Sequence, residues 1–289
     1  MTFADINIRD PFINIRDPFI LCEGGKYYLY GTRGETTWVC ATGLDVYVSD
    51  DLETWSEAHE CFSVPENFWA DKEIWAPEVH KYNGKFYMFV TFRSEARNRA
   101  TQILVSDTPM GPFLPFTDDA ITPLGWQCLD GTFYTDKNGK PYIVFCREWC
   151  QVQDGEIHAM PLTDDLSAAA GEPILLFKAS YPDWADKSRT TFITDGPFMH
   201  RTADGTLLMI WSTMTPKGYV QAVAVSDNGE IDGNWSHPAP IFENDGGHGM
   251  IFEDYSGKMF LILHSPNETY KERPVMFDVK EENGTIIIG

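Results

Sequence analysis

Residues 16–32 read RDPFILCEGGKYYLYGT: an apolar run opened by Asp-Pro, a Gly-Gly turn, and a second run that alternates in strand fashion through Lys26-Tyr27-Tyr28-Leu29-Tyr30. This is the pattern of a β-hairpin whose turn glycine supplies the backbone conformation that tight hairpins need. The pattern returns four times: WAPEVHKYNGKFYMFVTF (75–92), LDGTFYTDKNGKPYIVF (129–145), TDGPFMHRTADGTLLMIWST (194–213) and GHGMIFEDYSGKMFLILH (247–264). The turn glycines Gly25, Gly84, Gly139, Gly205 and Gly257 are spaced by 59, 55, 66 and 52 residues.

A unit of that length holds about four short strands, and further strand-like runs follow the hairpins at 44–56, 101–113, 155–167 and 220–236. Five four-stranded units in radial array make a five-bladed β-propeller, an all-β fold that places all 289 residues in a single domain. A two-sheet sandwich or an up-and-down barrel would not explain the period. A tandem heptad, INIRDPF, occupies 6–12 and again 13–19. Pro18 lies seven residues before Gly25 as Pro77 lies before Gly84, so Asp17 is in register and Asp10 is spare. The first copy is then a frayed extension or a strand that closes the ring on the last blade.

Composition narrows the function. The chain carries 22 basic and 43 acidic residues, a net charge of −21, which argues against nucleic-acid and anionic-membrane partners. No apolar run is long enough for a transmembrane helix, and no secretory leader is evident, so the expected location is cytoplasmic. The six cysteines lack metal-type spacing and read as reduced, mostly buried thiols.

In a propeller the first strand of each blade lines the central channel, so equivalent positions converge on one axis. The first strands open with Asp17, Ala76-Pro77-Glu78, Asp130, Asp195 and His248. Any one Asp before Gly or Pro is ordinary turn chemistry. Three in register, gathered in a hollow where like charges repel, suggest a selected arrangement. Carboxylates facing each other across a cleft suit glycoside hydrolysis, one giving a proton to the leaving oxygen and the other activating water. Trp38, Trp75, Trp126 and Trp149 lie near these openings, either as platforms for sugar rings or as core packing.

The combination of RDPF, WAPEV, LDGTF, DGPF and GHG over residues 14–278 resembles glycoside hydrolase family 43. The resemblance implies a five-bladed propeller that inverts configuration at the anomeric carbon of arabinose- or xylose-containing substrates. It places the general base on Asp17, the residue that tunes the acid on Asp130, and the general acid on Asp195. It also places His248 near a central calcium ion or water cluster, and a substrate-contacting arginine on Arg273. No calcium-loop motif appears, so a structural calcium ion near His248 is an expectation and no cofactor is otherwise required. The family's acid is a glutamate, whereas Asp195 is shorter by one methylene, about 1.5 Å of reach. Glu148, which follows the second strand of the third blade and adjoins Trp149, is a second candidate acid, and Glu78 a third.

Three functions therefore stand open. One is an inverting glycosidase acting on a small oligosaccharide, with substrate-binding roles for Trp75, Glu78, Trp149, His248 and Arg273. Another is a sugar-binding propeller that lost turnover with the glutamate, and the last a protein-interaction platform. Substrate identity is expected to reside in the segments 33–43, 93–100, 178–192 and 212–219.

Overall fold

The structure, a computed structural model, describes residues 13–289. The first heptad copy, at 6–12, lies outside the described residues. The rest forms five antiparallel sheets of four strands, each sheet built from strands consecutive in the chain. The first blade is β1 (Ile15–Glu23), β2 (Lys26–Arg33), β3 (Gly43–Ser49) and β4 (His59–Ser63). The second is β5 (Lys72–Tyr82), β6 (Lys85–Arg93), β7 (Ala100–Ser106) and β8 (Leu114–Pro115). The third is β9 (Cys128–Thr135), β10 (Pro141–Arg147), β11 (Glu156–Pro161) and β12 (Ile174–Lys178), with the short helix α1 (Trp149–Val152) after β10. The fourth is β13 (Asp195–Arg201), β14 (Leu207–Thr215), β15 (Gly218–Ser226) and β16 (Trp235–Ser236). The fifth is β17 (Gly247–Glu253), β18 (Met259–Ser265), β19 (Arg273–Glu282) and β20 (Thr285–Ile288), so β20 holds the outer place of the last sheet. Among the described residues no helix is long and apolar enough to cross a membrane.

The five hairpin glycines all have positive φ, as the turns required. The inner hairpin strands are buried on both faces because each blade is covered by a neighbour on either side. Phe86 to Phe92 of β6 are all buried, for example. The apolar core therefore lies between blades: Leu29, Val46 and Phe62 of the first pack with Val90 and Phe92 of the second, and the rings of Phe62 and Phe92 meet at 5.7 Å. The six cysteines are free thiols, three of them buried.

Each first strand breaks its ladder at an equivalent place (β5 has a second break between Lys72 and Trp75), and this shared break builds the site. The interruptions fall between Arg16 and Phe19, Trp75 and Glu78, Leu129 and Thr132, Asp195 and Phe198, and Gly247 and Met250. Inside each bulge one residue turns left-handed: Asp17 (φ 52°), Ala76 (48°), Asp130 (55°), Gly196 (49°) and His248 (51°). Such a conformation costs a residue other than glycine about 1–3 kcal/mol, and it re-aims a side chain that the pleat would bury. Neighbouring blades hold the strained backbone. The N–H of Ala76 donates to Thr32 Oγ1 (2.8 Å), that of Asp130 to Thr91 Oγ1 (2.8 Å), that of His248 to Ser212 Oγ (2.7 Å) and that of Asp17 to His264 Nδ1 (3.2 Å). For the fourth-blade bulge, Cys146 of the neighbouring third blade stands where the hydroxyl would be, and the Gly196 N–H donates to Asp130 Oδ2 instead (3.0 Å).

This register corrects the sequence alignment of the three aspartates. Gly196, not Asp195, is the counterpart of Asp17 and Asp130. Asp195 pairs with Ser212 in the rung where Arg16 pairs with Thr32 and Trp75 with Thr91. Each of the three aspartates is followed by Gly or Pro in the sequence, which made a one-residue offset invisible.

Candidate active site

A cavity of about 450 Å³ opens at the end of the channel where the bulges lie. Asp17, Asp130, Asp195, Glu148, Trp75, Trp149 and His248 all line it. Trp38 lines it too, half exposed at the rim, with its ring edge-on to Trp75 at 5.2 Å. The Trp75 indole N–H donates to the Thr37 carbonyl (2.6 Å), which fixes this aromatic corner.

Three expected residues lie elsewhere. Glu78 does not line the cavity: the alternating pleat beyond the bulge turns it away, and its Oε2 accepts from Thr132 Oγ1 (2.5 Å) and faces His80 Nε2 (3.0 Å). Arg273 does not line it either; its guanidinium donates to the carbonyl of Glu272 (2.7 Å) at the start of β19. Trp126 packs against His158 and beneath Arg147, outside this cavity.

His248 is the centre of the site. Its Nδ1 lies 3.1 Å from Asp17 Oδ1 and 3.7 Å from Asp130 Oδ2. Burial disfavours a charged imidazole, but Asp17, Asp130 and Asp195 outweigh it and push the His248 pKa up to about 10. Burial likewise opposes ionisation of Asp17. The His248 imidazolium and Arg16, whose Nε is 3.9 Å away, outweigh that and hold its carboxyl well below the usual carboxylate range. Thr32 Oγ1 donates to Asp17 Oδ2 (2.7 Å).

Asp130 and Asp195 shift the other way. Burial raises both, and His248 only partly offsets it. Asp195 and Asp17 raise Asp130 further, while Glu148 and Asp17 raise Asp195. The site thus holds one carboxyl whose pKa is driven down beside two whose pKa values are driven up, the contrast that acid–base catalysis uses. Glu148 is in an ion pair with Arg99 (2.6 Å) and also accepts from Cys150 Sγ (3.1 Å).

Sequence reasoning missed Arg16, Arg99, Tyr219 and Asn267, which also line the cavity. Arg16 lies over Trp38 (5.6 Å) and pairs with buried Glu272 (2.8 Å), while Arg99 lies over Trp75 (5.0 Å). Arg16 was visible beside Asp17, and Arg99 and Tyr219 fall in segments expected to shape the pocket. Nothing local distinguished them from other surface-loop residues.

The sequence model of glycosyl hydrolases family 43 matches residues 8–282. The chain belongs to this family. Among solved structures it resembles the endo-arabinase from Bacteroides thetaiotaomicron VPI-5482, with 40% identity, a TM-score of 0.88, and coverage of 97% of this chain and 98% of that one. A thermostable family-43 glycoside hydrolase superposes with a TM-score of 0.85 at 24% identity, covering 98% and 95% of the two chains, a likeness of fold. The extracellular endo-alpha-(1->5)-L-arabinanase 1 of Bacillus subtilis (strain 168) is 25% identical over 164 residues, 52% of this chain and 49% of that protein. The xylosidase/arabinosidase 43A of Humicola insolens is 26% identical over 137 residues, 43% and 41% of the two. These matches span about half the length of the curated relatives or less.

Proposed function

We propose that this family-43 chain hydrolyses arabinose- or xylose-containing oligosaccharides with inversion at the anomeric carbon. The observation that carries this reading is the gathering of Asp17, Asp130 and Asp195 with His248 around one cavity, where the surroundings push the Asp17 pKa down and the Asp195 pKa up. Asp17 takes a proton from a water molecule whose oxygen bonds to the anomeric carbon. The bond from that carbon to the leaving oxygen breaks, and Asp195 gives its proton to that oxygen. Asp130, buried and accepting from the N–H of Gly196, orients the acid by holding the backbone just after Asp195.

Asp195 suits the acid role better than the two glutamates. Protonating Glu148 would forfeit its ion pair with Arg99, and Glu78 lies outside the cavity. The Trp38–Trp75 corner supplies apolar faces for a sugar ring. The 40% identical endo-arabinase favours arabinose-containing chains within this class.

Among the described residues no three His, Cys, Asp or Glu side chains are disposed to hold a metal, so an ion at His248 would be coordinated mainly by water. The test is turnover of nitrophenyl pentosides and of arabino- and xylo-oligosaccharides, with NMR of the first-formed anomer. An inverted anomer is expected. A retained anomer overturns the water-activating role of Asp17, and no turnover on any of these overturns the reading.

A further inference from the structure

Asp195 is a short side chain, and a short acid must be held at one place to reach the leaving oxygen. The residue that touches it is Tyr219 of β15. The Tyr219 hydroxyl donates to Asp195 Oδ2 (3.1 Å), and Oδ1 takes no hydrogen bond from the described residues. Tyr219 is itself almost wholly buried, and burial above all pushes its phenol pKa up, which keeps it a donor.

Its position is built rather than incidental. The fifth-blade run Gly246-Gly247-His248-Gly249 makes room for it: a Cβ on Gly247 would come within 2.8 Å of the Tyr219 ring. Two residues along β15, Gln221 Oε1 accepts from the Gly249 N–H (2.8 Å), so β15 grips the fifth-blade bulge on either side of His248. The other ring against Tyr219 is His264 of β18, stacked at 5.5 Å with an interplanar angle of 18°. His264 Nδ1 accepts the backbone N–H of Asp17 (3.2 Å), so its proton is on Nε2, facing Asn267 Oδ1 (3.3 Å). Burial, with Arg16 nearby, lowers the His264 pKa to about 3 and keeps this ring neutral.

We infer that the stacked pair Tyr219–His264 is a positioning device that sets the acid Asp195 against the base Asp17. One ring holds the acid's carboxyl and the other holds the base's backbone. The pair spans the fourth and fifth blades and reaches the first, so the spacing of the two carboxyl groups is fixed by ring contact rather than by chain length. This is how a propeller with aspartate in place of glutamate keeps its acid in place. The inference rests on the reading of Asp195 as the acid.

The test compares Tyr219→Phe, which keeps the stack and removes the hydroxyl, with Asp195→Ala, on two aryl pentosides. One has a poor leaving group (phenol) and the other a leaving group that needs no protonation (2,4-dinitrophenol). Asp195→Ala should cut kcat by about 10²–10⁴-fold on the phenyl substrate and by far less on the dinitrophenyl one. Tyr219→Phe should show the same selectivity at smaller size, about 10- to 100-fold on the phenyl substrate with KM within about twofold. If Asp195→Ala slows both substrates equally, the acid reading fails. If Asp195→Ala is selective but Tyr219→Phe slows both equally or neither, the positioning role fails. Thermal unfolding of Tyr219→Phe, expected within a few degrees of the parent, separates loss of fold from loss of positioning.

Discussion

Two buried clusters in this molecule are made from the same side chains and do opposite things. In the channel mouth, His248 stands among Asp17, Asp130 and Asp195. In the third blade, His158 Nε2 lies 2.9 Å from Glu156, whose other oxygen takes Lys178 (2.9 Å) and which also has Arg147 at 3.6 Å. Both histidines and both sets of carboxylates are largely removed from water. The difference is the ratio of charges. Glu156 is outnumbered by cations: burial raises its pKa, but the bonds from His158 and Lys178 override that and lower it. His158 is pushed down, by burial first and then by Arg147 and Lys178, against the pull of Glu156. Around His248 the carboxyl groups are in excess, so the imidazole pKa and those of two of the carboxyls are pushed up. A carboxylate–histidine pair is therefore structural where cations surround the carboxylate. It becomes reactive where acids outnumber bases and a cavity lets substrate in.

The largest effect expected from this contrast is on Asp17. Asp17→Asn removes the ionised carboxylate and should lower kcat by about 10²–10⁴-fold, while Glu156→Gln should leave kcat within about twofold. Initial rates on an arabino-oligosaccharide check both, and a comparable loss in Glu156→Gln would erase the distinction between the clusters.

Asp130→Asn sharpens the same point through stability. Folded Asp130 has a pKa raised above the unfolded value of about 3.9, so its contribution to stability is complete below that pH and is lost as pH rises through the folded pKa. Asp17, whose pKa is lowered, has the reverse sign: its contribution is present above the unfolded value and fades as pH falls toward the folded one. Asp130→Asn should lower kcat about 100-fold yet raise Tm at pH 7 by about 2–4 °C, with less gain at pH 4. Calorimetry across pH 4–8 reads this directly, and a fall in Tm at pH 7 would contradict a raised pKa.

A smaller change is expected at the aromatic corner. Trp75→Ala removes the ring that meets Trp38 and underlies Arg99, and should raise KM about tenfold with a lesser change in kcat. The smallest catalytic effect belongs to Glu156→Gln, whose consequence is instead structural. Leaving part of the Lys178–Arg147–His158 set unmatched should cost about 1–3 kcal/mol, seen as a lower midpoint in chemical denaturation.

Much of the fold was legible because hairpin chemistry is local. Gly25, Gly84, Gly139, Gly205 and Gly257 mark turns that only a few backbone conformations can make, and their period counts the blades. Asp17, Asp130, Asp195, Glu148 and His248 could be placed at one mouth because every first strand runs along the axis. The one-residue offset of Asp195 was not legible, because Asp-Pro and Asp-Gly look alike until a bulge chooses which residue turns left-handed. Glu78 and Arg273 were misplaced for a related reason: a side chain's direction depends on pleat and bulge, not on nearness in sequence.

The amino-acid order by itself determined the number of blades, the hairpins and the set of acids brought to the axis, since these follow from short-range turn geometry and periodicity. Only the tertiary structure decided which carboxyl pKa is raised and which lowered, which glutamate is tied to an arginine, and that Tyr219 and His264 bridge the two working carboxyl groups. Proton affinity depends on charges and burial summed over all five blades, and residues far apart in the chain supply most of that sum.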